Sequence, residues 1–491
     1  MATNPAVSLP DSNKVKRALK KCEFVVVSDC MRNTDTTRYA HVLLPAQTWG
    51  ERDGTVTNSE RRITRQRAFL PSPGEARADW WIISEVAKRL GFSEHFSYTE
   101  PADIFKEHAL LSGYKNKGDR AFNISGLQDL SYIEYDDLEP MQWPVTKEKV
   151  TGTERLFSDG CFYTKSQKAQ FIAVKNHIPA SDLSGSYPLR LNTGRIRDQW
   201  HTMTRTGKSA RLSGHIYEPY VEVHPLDANK VSLQGNELAE VSSASGNVVC
   251  RVKITESQQP GSVFIPMHWN DQFANNAVVD SLIDAVVDPF SGQPEYKATP
   301  VNIKSYQAHW YGFLLSRRKL DLVNASYWAC SRGQGLWRYE IAGDQVPQDW
   351  AECARSLLCQ HADEVEWTEY HDAAVNRYRA ARIENGRLES CIFIGPDFSL
   401  PERDWLLNLF KDEKLDDKDR LSILSGKPAG NQVDAGRTVC ACFNVGLNTL
   451  AEAIKSRNLT SPEQVGELLK AGTNCGSCVP EIREIILQSK N

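Results

Sequence analysis

Four of the chain's twelve cysteines form two close pairs near its carboxyl terminus, and these pairs most constrain the fold. The first pair is Cys440-Ala441-Cys442, and the second is Cys475-Gly476-Ser477-Cys478. Four thiolates gathered at one point demand a metal. The spacing alone is equally compatible with a zinc ion and with a 2Fe-2S cluster. The sequence therefore predicts a small metal-dependent domain, and the identity of the metal stays open on spacing.

Short helices are predicted around these cysteines. Apolar residues at helical spacing run from Leu447 to Ile454 and from Val465 to Leu469. Ser461 is a good N-cap and is followed by Pro462 at the first helical position. A third helix is expected to open at Pro480. Helices this short can fold the two cysteine pairs together.

Length and composition restrict the class of protein. A chain of 491 residues is too long to fold around a single hydrophobic core, so three or four domains are expected. Its 58 basic and 62 acidic residues argue against a dedicated nucleic-acid binder. No apolar run approaches the roughly 18 residues that a membrane span needs, and no signal-peptide pattern is visible. The other cysteines are thinly spread, which fits a reducing compartment. We predict a cytoplasmic protein without nucleic-acid or membrane partners.

The first part of the chain has the pattern of an α/β sheet. Residues 23–29 and 41–45 are short apolar runs of the kind that form buried parallel strands. The first run ends in small polar residues, as strands do where they meet a ligand crevice. A helix is predicted from Asp79 to Leu90, ended by Gly91. Residues 92–186 carry little signal, and Cys161 among them is predicted to be buried.

Residues 187–304 read as mainly β. Strands are predicted at residues 188–191, 220–223, 238–241, 248–254 and 262–266. The first strand runs into the turn Thr193-Gly194-Arg195. A glycine there permits close approach of the backbone to a ligand, and the arginine offers donors suited to phosphate. By itself the turn is weak evidence for binding, and a solvated turn with an exposed arginine is the favoured interpretation.

Residues 305–423 are predicted to be α+β. Helices are expected at residues 349–358 and 366–376, and a hairpin at 378–383 and 388–394 turns on Asn385-Gly386. Nothing in this segment has the spacing of a catalytic or metal site.

Several motifs in a fixed order resemble the molybdopterin oxidoreductases of the DMSO-reductase superfamily. They are Val25–Asp29, Ala40–Ala46, Trp49–Thr55, Asn58–Arg62, Pro73–Asp79, Thr193–Arg195, Trp200–Thr202, Pro266–Trp269 and Asp288–Lys297. The resemblance implies the tail of a Rossmann-like α/β domain and a double-psi β-barrel that binds a molybdopterin dinucleotide.

The same resemblance implies which residues hold a molybdopterin guanine dinucleotide. Contacts to the guanine dinucleotide are expected from Asn4, Ser28, Asp29, Arg52 and Asp79. Contacts to the phosphates and the pterin are expected from Thr193, Gly194, Arg195, Trp200, His201, Thr202, Asn275 and Lys297. No catalytic side chain is assigned, because the metal performs the chemistry in this superfamily.

The loop Gly472–Cys478, together with Gly446, resembles the BFD-like 2Fe-2S domain. This implies that Cys440, Cys442, Cys475 and Cys478 bind a 2Fe-2S cluster. The predicted division is then an α/β part (1–97), a connecting segment (98–186), the barrel (187–304), an α+β linker module (305–430) and the 2Fe-2S domain (431–491).

A molybdopterin module followed by a 2Fe-2S domain resembles the bacterial assimilatory nitrate reductases. Electron entry at the 2Fe-2S cluster and reduction of nitrate to nitrite are implied, with ferredoxin, flavodoxin or an NADH-linked subunit as donor. The molybdenum ligand and a 4Fe-4S centre are expected in an amino-terminal part that precedes this chain in relatives, so the chain resembles a carboxyl-terminal portion. The alternatives are a cytoplasmic formate dehydrogenase of the same architecture and a module that only binds cofactors and transfers electrons.

Overall fold

The computed structural model describes residues 1–322, 325–359, 365–428, 435–436 and 438–489. The chain divides into two compact units. Unit 1 comprises Met1–Thr3, Cys22–Asn33 and Thr37–Ile178, and unit 2 comprises Asn4–Lys21, Thr34–Thr36 and Pro179–Asn491. The domain boundary predicted at residues 430 and 431 lies outside the described residues.

Unit 1 contains the predicted parallel strands, with shorter bounds than expected. Val26–Asp29 pairs in parallel with Val42–Pro45. The predicted burial is wrong for both strands in part, since Val26 of the first and Val42 and Leu43 of the second are exposed. Within the described residues this sheet has only these two strands, so both of them are edge strands. The predicted helix is confirmed as Asp79–Arg89.

The rest of unit 1 surrounds a small antiparallel sheet formed by Gly54–Thr57, Arg62–Gln66 and Met141–Gln142. The helices Pro101–Gly113 and Tyr132–Asp136 contribute Phe105, Ala109 and Tyr135 to the core beside this sheet. The predicted burial of Cys161 is wrong. It is exposed because it lies in a segment without regular structure, which offers no core to receive it.

A closed β-barrel lies at the centre of unit 2. Its strands, in order around the barrel, are Ser262–Pro266, Leu189–Gly194, Thr299–Ser305, Leu238–Ser242, Asn247–Ile254 and Tyr220–Val223. Leu189–Gly194 runs parallel to Ser262–Pro266 and antiparallel to Thr299–Ser305. Alternating side chains such as Leu191, Val223 and Ile265 fill the barrel interior. All the strands predicted here are confirmed, and the barrel matches the expected β architecture.

An antiparallel sheet follows the barrel. Its strands, in order across the sheet, are Tyr327–Gly333, Leu336–Gly343, Trp310–Ser316, Arg387–Gly395, Arg377–Glu384 and Glu366–Asp372. The predicted helix at 349–358 is confirmed as Trp350–Cys359, and the predicted hairpin is also confirmed. The helix predicted at 366–376 is wrong, because residues 366–372 pair with Arg377–Glu384 as an edge strand. Trp367, Thr368 and Tyr370 suit a pleated surface, and pairing outweighs the helical pattern.

The carboxyl-terminal cysteines lie in a small helical domain. Thr438–Cys440 pairs with Val445–Gly446, and three helices follow as predicted, namely Leu447–Arg457, Pro462–Leu469 and Val479–Gln488. The Ser461 hydroxyl caps the second of these helices by accepting from the Gln464 amide at 3.4 Å.

Shorter helices complete the described structure: Pro5–Ser8, Ser12–Lys21, Pro225–Lys230, Asp404–Leu409 and Asp417–Ser425. Among the described residues, no helix combines the length and the apolar character required to cross a bilayer.

Candidate functional site

The predicted binding residues of unit 1 form a polar group at the end of a strand. The Ser28 hydroxyl donates to Asp79 Oδ1 at 3.2 Å, and Arg52 Nη2 donates to Asp79 Oδ2 at 2.7 Å. Asp29 follows Ser28, and its Oδ1 accepts from the Met31 amide at 2.8 Å. Since Asp79 begins a helix, its carboxylate also lies where a helix favours negative charge. The structure thus joins Ser28, Arg52 and Asp79 in one hydrogen-bonded group, with Asp29 adjacent in the chain.

In unit 2, the strand Leu189–Gly194 ends among residues of the predicted closing motif. The Thr193 hydroxyl donates to the Tyr296 carbonyl at 3.0 Å, and the Lys297 ammonium contacts the Thr193 carbonyl. A Cβ on Gly194 would lie 2.9 Å from a ring carbon of Phe264, so a larger residue here would displace that ring. Lys297 is exposed and brings a positive charge to the end of the strand.

The loop after this strand has an unusual backbone. Asp198, His201 and Met203 all adopt positive φ angles, which non-glycine residues rarely do. Each such residue costs on the order of 1–3 kcal/mol, and strain of this kind gathers at functional sites. Arg195, Trp200 and His201 point into solvent, with Trp200 46% exposed. The loop therefore presents a cation, an indole and an imidazole on a constrained backbone.

A buried histidine holds this loop in place. His268 Nε2 accepts from the Ile196 amide at 3.1 Å, and Nδ1 lies 2.8 Å from the His201 carbonyl, to which its N–H donates. The Asn270 side chain donates to the Thr202 carbonyl. Neither His268 nor Asn270 was predicted as a site residue. Both are fully buried, and the sequence signal for them was the motif Pro266–Trp269, which contains His268 and directly precedes Asn270.

Asn4 and Asn275, both predicted to contact the cofactor, have different surroundings. Asn4 Nδ2 donates to Thr202 Oγ1 at 3.0 Å, so the structure brings these two predicted residues together. Asn275 instead binds a strand of the antiparallel sheet, accepting from the Trp328 amide at 2.6 Å and donating to the Ser326 carbonyl at 2.9 Å. The structure therefore does not place Asn275 with the Thr193 group.

The four carboxyl-terminal cysteines are arranged as two pairs. Cys442 and Cys475 are 3.4 Å apart at sulfur, and Cys440 and Cys478 are joined by a side-chain hydrogen bond. Across the described residues, no group of three or more His, Cys, Asp or Glu side chains is drawn together around a single point. Two pairs of thiols suit a cluster of two irons, in which each iron takes two cysteines, better than one tetrahedral zinc ion.

The two pairs differ in their surroundings. A hydrogen bond from Arg211 lowers the pKa of the Cys442 thiol to about 7. Burial, together with the nearby Cys440, raises the pKa of the Cys478 thiol to about 11. One pair is thus open and close to a cation, whereas the other is enclosed in the small hydrophobic core of the domain.

Three family models match the chain in the regions just described. The molybdopterin oxidoreductase model matches residues 1–89, the molydopterin dinucleotide binding domain matches 189–300, and the BFD-like [2Fe-2S] binding domain matches 438–488. The chain thus contains a molybdopterin oxidoreductase region, a molybdopterin-dinucleotide domain and a BFD-like 2Fe-2S domain. Because the last of these matches a 2Fe-2S model, the choice between zinc and iron that the cysteine spacing left open is decided in favour of iron.

Curated relatives of this chain are longer proteins. A nitrate reductase of Klebsiella oxytoca is 43% identical over 99% of this chain and 55% of its own length. The assimilatory nitrate reductase catalytic subunit of Bacillus subtilis is 36% identical over 62% of this chain and 41% of its own length. An F420-dependent formate dehydrogenase subunit alpha of Methanocaldococcus jannaschii is 34% identical over 62% of this chain and 42% of its own length. The chain spans about half the length of the curated relatives that it matches.

The buried histidine gives this chain a specific dependence of stability on pH. Burial lowers the pKa of His268 in the folded chain below its ordinary value of about 6.5. Below about pH 6.5 the unfolded chain therefore binds a proton that the folded chain refuses, and the free energy of unfolding falls as pH falls. The slope that one histidine adds to the free energy of unfolding is at most about 1.4 kcal/mol per pH unit. We expect His268→Gln to lose this contribution, as measured by urea denaturation between about pH 8 and pH 5.

His224, which caps a surface helix, provides the control for this measurement. His224→Gln should keep the acid sensitivity of the parent chain. Equal acid sensitivity in His268→Gln and the parent would contradict the assignment of this component to His268.

Proposed function

We propose that this chain is the carboxyl-terminal part of a molybdenum-dependent assimilatory nitrate reductase, in which electrons enter through the 2Fe-2S domain. The observation that carries the proposal is the extent of the match to the nitrate reductase of Klebsiella oxytoca, which covers 99% of this chain and so includes the cysteine quartet. The reaction takes up two electrons and two protons and converts nitrate to nitrite and water.

The residues of the chain then bind and orient the cofactor. We propose that the carboxylates of Asp29 and Asp79 accept hydrogen bonds from guanine or ribose, with Ser28 and Arg52 holding Asp79 in position. Arg52 and Arg195 supply donors suited to phosphate. The bound group would supply oxygen-atom transfer at molybdenum, a chemistry that no side chain of this chain provides.

Unit 2 carries its own set of proposed cofactor contacts on its barrel. At Thr193 and Gly194 a ligand can approach the backbone closely, and Lys297 supplies a cation beside them. Trp200, His201 and Thr202 lie on the strained loop that His268 holds in place. We propose that these residues contact the phosphates and the pterin of a molybdopterin guanine dinucleotide, and that the barrel is of the double-psi type. We propose Asn275 as a further cofactor residue that acts through its hydrogen bonds to the neighbouring sheet.

We propose that Cys440, Cys442, Cys475 and Cys478 ligate the 2Fe-2S cluster that receives electrons from ferredoxin, flavodoxin or an NADH-linked subunit. Relay to a 4Fe-4S centre and to molybdenum would use parts of the longer relatives that this chain does not span. Domain boundaries near residues 97, 186, 304 and 430 belong to the same proposal. A cytoplasmic location is supported by the cysteines, all twelve of which are free thiols.

A second candidate is a formate dehydrogenase, since a formate dehydrogenase subunit is 34% identical over 305 residues. A match of that length cannot include both the α/β region, which ends at residue 89, and the 2Fe-2S region, which begins at residue 438. The nitrate reductase match spans both, and therefore favours the first candidate.

The deciding experiment uses the protein that contains this chain, purified without oxygen. Reduced methyl viologen with nitrate should yield nitrite, and formate should not reduce oxidised viologen. The opposite pattern would overturn the nitrate assignment. On the same sample, about two irons per chain from the 2Fe-2S cluster and released guanine nucleotide should be found, while zinc in the quartet in place of iron would remove the proposed electron entry.

A further inference from the structure

The loop after the dinucleotide-binding turn of unit 2 also contacts the 2Fe-2S domain. We name residues 195–216 the bridging loop. Its His215 joins Asp198 through Nδ1, while Nε2 lies 3.0 Å from the Val439 carbonyl and 3.2 Å from the Ala441 amide. Arg197 Nη2 donates to the same Val439 carbonyl at 3.3 Å. The bridging loop therefore holds the backbone on both sides of Cys440.

The pair formed by His215 and Asp198 is built for this contact. Burial would raise the pKa of Asp198, but the hydrogen bond from His215 and the charge of Arg197 outweigh it and lower that pKa. Asp198 is thus an anion that fixes the orientation of the imidazole ring. Asp198 also has a positive φ, so the strained stretch of the loop includes the residue that orients His215.

Arg211 completes the contact from the same loop. Its guanidinium forms a hydrogen bond with the Cys442 side chain and lies close enough to Cys475 and Cys440 to interact with their charges. One-electron reduction of a cluster held by these thiolates adds a negative charge. A neighbouring cation stabilises the reduced form more than the oxidised form.

We propose that the bridging loop forms one wall of the 2Fe-2S site, in which Arg211 raises the reduction potential of the cluster and the His215–Asp198 pair positions the loop for this role. A single loop thereby presents Arg195 and Trp200–Thr202 toward the dinucleotide and Arg211 and His215 toward the cluster. The inference rests on the proposed assignment of the quartet as cluster ligands and is independent of the substrate.

The test compares two charge removals within the loop. Arg211→Gln removes the cation next to Cys442, whereas Lys208→Gln removes an exposed cation from the same loop and serves as the matched control. Redox titration followed by electron paramagnetic resonance should show a more negative midpoint potential in Arg211→Gln. At the parent midpoint we expect the ratio of reduced to oxidised cluster to fall about fivefold or more. Tenfold corresponds to about 59 mV for one electron. Lys208→Gln should match the parent.

Two further variants separate charge from structure. Arg211→Lys keeps the cation and should restore most of the potential, which a merely structural role of Arg211 would not predict. His215→Ala should lower the potential in the parent but should add little in the Arg211→Gln background, because the histidine acts through the placement of the arginine.

The possible failures are distinguishable. A parent protein without a 2Fe-2S signal would remove the ligand assignment and with it the proposed electron entry. An intact cluster whose potential is the same in Arg211→Gln and Lys208→Gln would overturn the inference alone, as would equal potentials in Arg211→Lys and Arg211→Gln.

Discussion

Cys475→Ser is expected to abolish the 2Fe-2S cluster. Iron should fall by about two atoms per chain, because the loss of one of the two cysteine thiolates on an iron leaves that iron with a single protein thiolate and the cluster is no longer held. The same loss is expected for Cys442→Ser, the partner at 3.4 Å. Iron analysis and the visible absorbance of the anaerobically purified protein would measure both effects.

The control for this loss is Cys161→Ser, which removes an exposed thiol far from the quartet in sequence. It should retain the iron and the absorbance of the parent. Full iron content in Cys475→Ser, or an equal loss in Cys161→Ser, would contradict the assignment. The melting temperature of the cluster-free variants should also be lower than that of the parent, since small domains that hold a metal depend on it for stability.

Lys297→Met is expected to weaken retention of the molybdopterin dinucleotide by about tenfold to a hundredfold. A hydrogen bond from a charged donor contributes on the order of 1.5–3 kcal/mol, and the methionine keeps much of the apolar stem while removing the ammonium. The same ammonium contacts the Thr193 carbonyl, so its loss also loosens the end of the strand. The guanine nucleotide released per chain on acid treatment would measure the effect.

Lys304→Met is the matched control, since Lys304 lies on the barrel strand Thr299–Ser305 and pairs with Glu240 on the adjacent strand at 3.1 Å. It should keep the nucleotide content of the parent. Equal nucleotide loss in both variants would mean that barrel stability, rather than a contact of Lys297, controls retention. Thermal unfolding of both variants separates these two explanations.

Local patterns sufficed for much of the fold. Alternation and turns predicted the barrel strands, and the N-cap Ser461 followed by Pro462 predicted a helix that begins as expected. Both signals depend on interactions between residues close in the chain, so no tertiary information was required. The prediction failed at residues 366–376, where an edge strand exists only because Arg377–Glu384 is available to pair with it.

The sequence by itself determined the cysteine quartet, the helices that gather it and the Thr193-Gly194-Arg195 turn, because motif spacing and local periodicity encode them. Only the tertiary structure decided which side chains support those motifs. His268 holds the loop at Ile196 and His201, about 70 residues away in the chain, through a contact that no spacing rule reveals. The contact of His215 with Val439 likewise joins residues separated by 224 positions. Such hydrogen bonds form only after the strands and helices have packed, and therefore leave no local signal.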